Sequence, residues 1–324
     1  MHRRSVLLLL PVVATLLGSA TAWAQAWPAR PVHLVVPAPA GSSLDVTARL
    51  LADKLKDRWG QAVVVDNKPG AGGMLGVDAA AKAAPDGYTI AVGFNGPIAF
   101  APFMYRKLPY DPAKELVPVV MTTLQPNVLA VSAALPVRTV KDFIALGKAK
   151  AGKMNYASVG LGSSSHLTME LLLAEAGFEA THVPYNGSPP AAMSVASGET
   201  DAVFAAAPAL LSLAKTGKLR LIAVSGRQRL ASMKDLPTLV ESGLPNVESM
   251  IWNGLFVAAH TPDAVVQKLN ADVNVVLQDP AVIASFEVQG LLPGGGSVAE
   301  FRQTVASDTQ RWGAIIRKIG LQLD

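Results

Sequence analysis

An α/β protein of two lobes is what this sequence predicts, each lobe a mostly parallel sheet flanked by helices, with the chain crossing between them twice. Three observations carry that expectation. From 32 to 92, short apolar runs alternate with amphipathic stretches, the β–α–β rhythm of a parallel sheet. The same rhythm resumes at Asn155 and continues to 224. Between the two blocks, apolar runs at 117–124 and 128–131 are divided by Gln125-Pro126-Asn127, as in a strand that leaves one sheet and enters another. A further apolar run, 253–258, reads as the strand that returns. The expected organisation is a leader over 1–24, a first lobe from 25–124 plus 250–324, and a second lobe over 125–249.

Each element has its own local signal. The run Val32-His-Leu-Val-Val36 is a strand, and the helix after it carries Leu44, Ala48, Leu51, Leu55 and Trp59 on one stripe before Gly60 stops it. A strand at 63–66 leads through Asn67-Lys-Pro-Gly-Ala-Gly-Gly into a helix ending near Ala84, and Pro85-Asp86-Gly87 turns the chain into the strand 88–92. Phe94-Asn95-Gly96-Pro97 is expected as a third strand-end loop. Thr139 and Asp142 form a capping-box pair, as do Ser297 and Glu300 at the last helix. Thr261-Pro262-Asp263 reads as an N-cap followed by proline in the first helical position.

The composition excludes several classes. Residues 1–24 read as a secretory signal: His2, Arg3 and Arg4 are basic, 6–17 is apolar, and Ala22-Trp23-Ala24 places cleavage before Gln25. The expected address is therefore the periplasm, with Arg3-Arg4 leaving a twin-arginine route open. The chain of 324 residues has no cysteine, which rules out disulfides, thiolate metal sites and cysteine nucleophiles. A net charge of +4, two units of it from Arg3 and Arg4, is too balanced for a nucleic-acid binder. His33, His166, His182 and His260 show no metal-binding spacing. Gly70-x-Gly72-x-x-x-Gly76 misses the spacing of a dinucleotide loop, so no cofactor is expected. The chain reads as a monomer.

Binding residues are expected at the carboxyl ends of the strands, where open parallel sheets hold their ligands. Two Gly/Ser loops stand out, Ala40-Gly41-Ser42-Ser43 with Asp45, and Ser158-x-Gly160-x-Gly162-Ser163-Ser164-Ser165-His166. Each opens a helix, so backbone N–H groups and hydroxyls converge at the positive end of a helix dipole, a cradle for an anion. Ser163 and Ser164 are expected to donate to a carboxylate, with simple capping as the competing role. Asp45 in the first turn can cap as well. Asn95 and Asn186 supply further polar groups, and Trp252 lines the cleft or fills the hinge core. The serines of 163–165 also invite a hydrolase reading, but the nucleophile elbow G-x-S-x-G is absent.

Seven segments in order bear a resemblance to the substrate-binding receptors of tripartite tricarboxylate transporters, the Bug-type family. They are PAPAGSSLDVTARLLA (37–52), VVDNKPGAGGMLG (64–76), PDGYT (85–89), Tyr105 with LPYDP (108–112), YASVGLGSSSHLTMELL (156–172), HVPYNGSPPA (182–191) and LPTLVESGLP (236–245). The resemblance implies a type II-like periplasmic binding-protein fold that closes on a small carboxylated solute and serves the permease subunits of such a transporter. It also implies that loops 40–45 and 158–166 grip one carboxylate, partly through water. Ser42 stands where the family usually has a second glycine, and Phe94-Asn95-Gly96-Pro97 where it often has Ser or Thr. These departures leave the identity of the solute open, and the Phe, Pro and Ala content is expected to favour a more apolar or aromatic acid.

Overall fold

A computed structural model describes residues 27–323; the expected signal and its cleavage before Gln25 lie outside the described residues. The strands are β1 (Val32–Val36), β2 (Val63–Asn67), β3 (Thr89–Phe94), β4 (Leu116–Pro126), β5 (Val128–Ser132), β6 (Asn155–Ser158), β7 (Thr181–Pro184), β8 (Ala202–Ala205), β9 (Leu219–Val224), β10 (Met250–Ala258) and β11 (Leu292–Gly295). The helices are α1 (Ser43–Trp59), α2 (Met74–Ala81), α3 (Ala101–Met104), α4 (Pro112–Glu115), α5 (Val140–Lys150), α6 (Ser164–Ala176), α7 (Ser188–Ser197), α8 (Pro208–Lys215), α9 (Asp263–Leu277), α10 (Pro280–Val288) and α11 (Val298–Ile319).

Two separate sheets result, ordered β11-β4-β10-β3-β1-β2 and β7-β6-β8-β5-β9. Both are mixed. Parallel pairing holds at β2-β1-β3 and at β7-β6-β8, where β–α–β units stack side by side. Strands β4, β10 and β11 in the first sheet, and β5 and β9 in the second, pair antiparallel. The long strand β4 runs to Pro126 and the chain enters β5 one residue later, while Met250 of β10 lies opposite Pro126. Both crossings are thus adjacent.

The period-2 alternation of strand side chains divides the first core in two. Leu34, Val36, Ile90, Val92, Leu255 and Val257 point to one face and pack with α1 and α9. Val35, Ala91 and Phe256 point to the other, where Phe301, Trp312 and Ile316 of α11 cover them. Burying each Val, Leu, Ile or Phe side chain among these is worth about 1.5–3 kcal/mol. The expected stripe of α1 is buried at Leu44, Ala48, Leu51 and Leu55, and Gly60 ends the helix with φ 62° and its N–H on the Lys56 carbonyl. Both expected capping boxes form.

Two local expectations are corrected. Residues after Phe94 do not form a loop: Gly96–Phe100 is a π-helical turn that continues into α3, with Pro97 in the first turn, where its missing N–H costs nothing. Thr261 does not cap α9. Its hydroxyl donates to the Ala258 carbonyl at 2.7 Å, so Pro262 takes the cap position and the helix begins at Asp263.

Candidate functional site

The units β1–α1–β2 and β6–α6–β7 are built alike. Ser42 (φ −74°, ψ 163°) caps α1 by accepting from the Asp45 N–H, and Ser163 (φ −75°, ψ 162°) caps α6 by accepting from the His166 N–H. The residue before each cap is a glycine with positive φ, Gly41 at 81° and Gly162 at 68°. Its N–H is taken by the residue four positions on: Asp45 Oδ2 accepts from Gly41 at 2.9 Å, and His166 Nδ1 accepts from Gly162 at 3.2 Å. One further turn along, Arg49 pairs with Asp45 at 2.9 Å and Glu170 lies 3.9 Å from His166. The geometry repeats; the charges do not.

The two loops meet on one cleft with about 620 Å³ of empty space, counting its open side. Ser42 and Ser43 line it from the first loop, and Ser163, Ser164 and Ser165 from the second. Asn127, Asn186 and Ser188 add polar groups, while Pro37, Pro39, Pro69, Phe94, Ile251 and Ala206 form apolar wall. The first-turn amides of α1 and α6 have no carbonyl within their own helices to bond, and both helices open at this cleft.

Following each hydroxyl proton separates these serines. Thr168 Oγ1 lies 2.6 Å from the Ser164 carbonyl, which has no proton to give, so Thr168 donates there. Ser249 Oγ lies 2.6 Å from Thr168 Oγ1 and 3.1 Å from Ser225 Oγ, and Ser225 gives its own proton to the Ser249 carbonyl, so the single Ser249 proton is committed to one of these two oxygens. Neither hydroxyl has a proton left for Asn127, so the amide must turn its NH₂ toward them, at 3.2 and 3.1 Å. Of the two NH₂ protons, one goes to Ser164 Oγ at 2.8 Å, the shortest of the three contacts, and the other is shared between Thr168 and Ser249, which leaves the Ser164 proton uncommitted. Ser163 differs: its hydroxyl donates to the Gly160 carbonyl at 2.7 Å while capping His166. Ser165 donates to the Phe204 carbonyl and accepts from the Val159 N–H. Asn127 is fully buried, and its Oδ1 has no partner among the described residues.

Behind the second loop, His166 and His182 stack with ring centroids 3.9 Å apart, and Tyr156 stacks on His182 at 4.9 Å. Tyr156 also hydrogen-bonds Glu170. His182 Nε2 meets Ser158 Oγ at 2.6 Å. Burial, reinforced for His166 by the neighbouring His182, pushes the imidazoles down to about 3 (His166) and about 4 (His182), so both are neutral near pH 7. Burial raises the Asp45 carboxyl, but hydrogen bonds from Arg49, Gly41 and Asn67 outweigh it and hold Asp45 below the usual carboxylate range. Ser158 meets His182 Nε2, but it is buried behind the loop and does not line the cleft. His166 Nδ1 is occupied by Gly162, and the hydroxyls of Ser163 and Ser165 donate to carbonyls, so the hydrolase reading has no support from the cleft serines.

The profile of the tripartite tricarboxylate transporter family receptor, TctC, matches residues 47–321. The chain belongs to this family. It is 35% identical over 312 residues to protein BugT of Bordetella pertussis, covering 96% of each chain. Among solved structures it is similar to R. palustris Rpa4515 with adipate, at 34% identity and TM-score 0.88, over 91% of this chain and 98% of that one. It is also similar to MatC of Rhodopseudomonas palustris with bound malate, at 30% identity and TM-score 0.84, over 89% and 99%.

In this TctC-family chain, several residues singled out from the sequence lie away from the cleft wall. Trp252 is core: its indole N–H donates to Asp308 Oδ2 at 2.8 Å and its ring packs edge-on against Phe301. Alternation along β10 puts Ile251, one residue earlier, on the cleft instead. Asn95 is buried at the strand crossing, where its NH₂ donates to the Met250 carbonyl at 3.0 Å; Phe94 faces the cleft. Ala40 and Gly41 are exposed at the rim, and Ser158 and His166 are buried behind their loop. Asp45, Gly162 and Ser163 shape the loops through the bonds described above. Asn127 and Ser188 were missed. A carboxamide beside the proline of a crossover was the available signal for Asn127.

Glycines also set how closely the two sides approach. A Cβ on Gly72 would stand 2.8 Å from the Leu161 carbonyl oxygen, and one on Gly160 would stand 3.1 Å from Gly72 Cα. Gly72→Ala is therefore expected to hold the sides apart and weaken ligand binding by about tenfold. Folding stability should fall by about 1 kcal/mol, because Gly72 sits at φ 62°. Small-angle scattering of the liganded variant should give a larger radius of gyration than the parent; an equal radius with equal affinity refutes this.

Proposed function

We propose that this chain is a periplasmic receptor that holds a small carboxylic acid between two lobes, 25–124 with 250–324 and 125–249. The observation that carries the reading is the pairing of two like-built helix openings on one cleft, with donors available and no ionisable side chain among its lining residues. Ser42, Ser43 and Ser164, with the first-turn amides of α1 and α6, hold the carboxylate directly or through water. Asn186 and Ser188 meet the rest of the solute. Gly160, Gly162, Ser163, Asp45 and His166 shape the loops, while Asn95 and Trp252 brace the crossing. The chain acts as a monomer after removal of 1–24, binds without turnover and delivers its solute to the permease subunits of a tripartite tricarboxylate transporter. The adipate and malate held by the two similar structures support a carboxylate as ligand.

A thermal-shift screen of free carboxylic acids against their primary amides tests this. A ligand at about 100 times its Kd adds roughly 2.7 kcal/mol to the folded state. The acids should raise Tm and the amides should not; equal shifts would refute the carboxylate grip.

A further inference from the structure

We infer that the solute is an α-hydroxy acid, its carboxylate held by Ser164 and its hydroxyl donating to Asn127 Oδ1. This rests on the proposed receptor function and goes on to name the group beside the carboxylate. Both protons of the Asn127 NH₂ are spent, one on Ser164 Oγ at 2.8 Å and the other between Thr168 and Ser249. Thr168 and Ser249 keep the amide in this sense, having no proton left for its oxygen. Oδ1 is therefore an acceptor on the other arm of the amide. It has no donor among the described residues, and bulk water does not reach it. Asn127 lines the cleft, buried there as Ser43 and Ser164 are. A buried acceptor left without a partner costs stability, so a solute that brings a donor to this point is favoured over one that does not.

The carboxylate cannot be that donor, because an ionised carboxyl only accepts. Yet Oδ1 stands close to it. The oxygen and nitrogen of a carboxamide share one carbon, and the nitrogen here holds the same Ser164 Oγ whose proton is free for the carboxylate. A hydroxyl on the carbon next to the carboxyl matches this offset: Ser164 donates to the carboxylate while the hydroxyl gives its proton to Oδ1. An ammonium at that carbon would donate as well, but no Asp or Glu is among the residues lining the cleft to balance its charge. A hydroxyl is neutral and escapes that cost. The rest of the acid then meets the apolar wall of Pro37, Phe94 and Ile251.

Calorimetric titration with acids that differ only in the α-hydroxyl decides the matter: lactate against propionate, malate against succinate, and mandelate against phenylacetate, with enantiomers tested separately. In the pair that binds tightest, one enantiomer of the hydroxy acid should bind at least about tenfold tighter than its partner. O-methylmandelate, which keeps the oxygen but not the proton, and phenylglycine, whose donor is charged, should bind no tighter than phenylacetate. Asn127→Leu, with folding checked by urea denaturation, should weaken both members of the pair and shrink their ratio to within about threefold. Equal binding of hydroxy and deoxy acids by the parent overturns the inference and assigns Oδ1 to a water. So does a tenfold preference that survives in a folded Asn127→Leu variant, or failure of every hydroxy acid to bind while another acid does. Mandelamide binding as tightly as mandelate would instead overturn the receptor reading, and the inference with it.

Discussion

Ser164→Ala is expected to weaken binding of the acid selected by thermal shift about ten- to a hundredfold, while Ser163→Ala leaves affinity within about threefold. The two serines are neighbours on one loop, and sequence alone treats them as equal. Their protons differ. Ser164 accepts from Asn127 and retains a proton that a ligand carboxylate can take, a charge-assisted bond worth about 1.5–3 kcal/mol. Ser163 has given its proton to the Gly160 carbonyl and its lone pair to the His166 N–H. Removing Ser163 should therefore cost about 1 kcal/mol of folding stability, the usual loss for an N-cap. Calorimetric titration and urea denaturation of both variants measure the two quantities separately. Equal affinity losses in the two variants would show that the proton assignment is wrong.

Acidification from pH 6.5 to pH 4.5 should destabilise the protein steeply, through the stacked pair His166 and His182. Both imidazoles are held below the ordinary histidine value of 6.5, to about 3 and about 4, chiefly by burial. The unfolded chain therefore takes up protons through this window while the folded chain does not. Stability from these groups is complete above pH 6.5 and is lost as pH falls toward the folded values. Each histidine contributes a slope of up to about 1.4 kcal/mol per pH unit. Protonated, His166 could no longer accept from Gly162, so the second loop should fail together with the fold. Asp45 and Asp272, held low, stabilise above the ordinary carboxylate range and lose that contribution only at more acid pH. Asp308, pushed up by burial despite the bond from Trp252, acts in the opposite sense, favouring the folded chain as pH falls. Urea midpoints across the window, for the parent and for His166→Asn with His182→Gln, give the check. An unchanged slope in the double variant would remove the histidines as the cause.

Much of this molecule was determined by short-range chemistry that the sequence displays. A capping pair such as Thr139 with Asp142 is closed within one helical turn, so its residues suffice to place it. The stripe of α1 and the two Gly/Ser loops follow from periodicity and from the positive φ that Gly41 and Gly162 supply. Strand pairing was decided at longer range: the crossing strands enter their sheets antiparallel because the chain comes back to each sheet from the other. The face of β10 was likewise a tertiary choice, since a shift of one residue exchanges Trp252 for Ile251. The site depended on such contacts most of all. Whether Ser164 or Ser163 keeps a proton is set by Asn127, whose amide is oriented in part by Ser249, 122 residues away. Hydrogen-bond saturation is a property of the assembled network, because each hydroxyl has a single proton and its acceptor can lie anywhere along the chain.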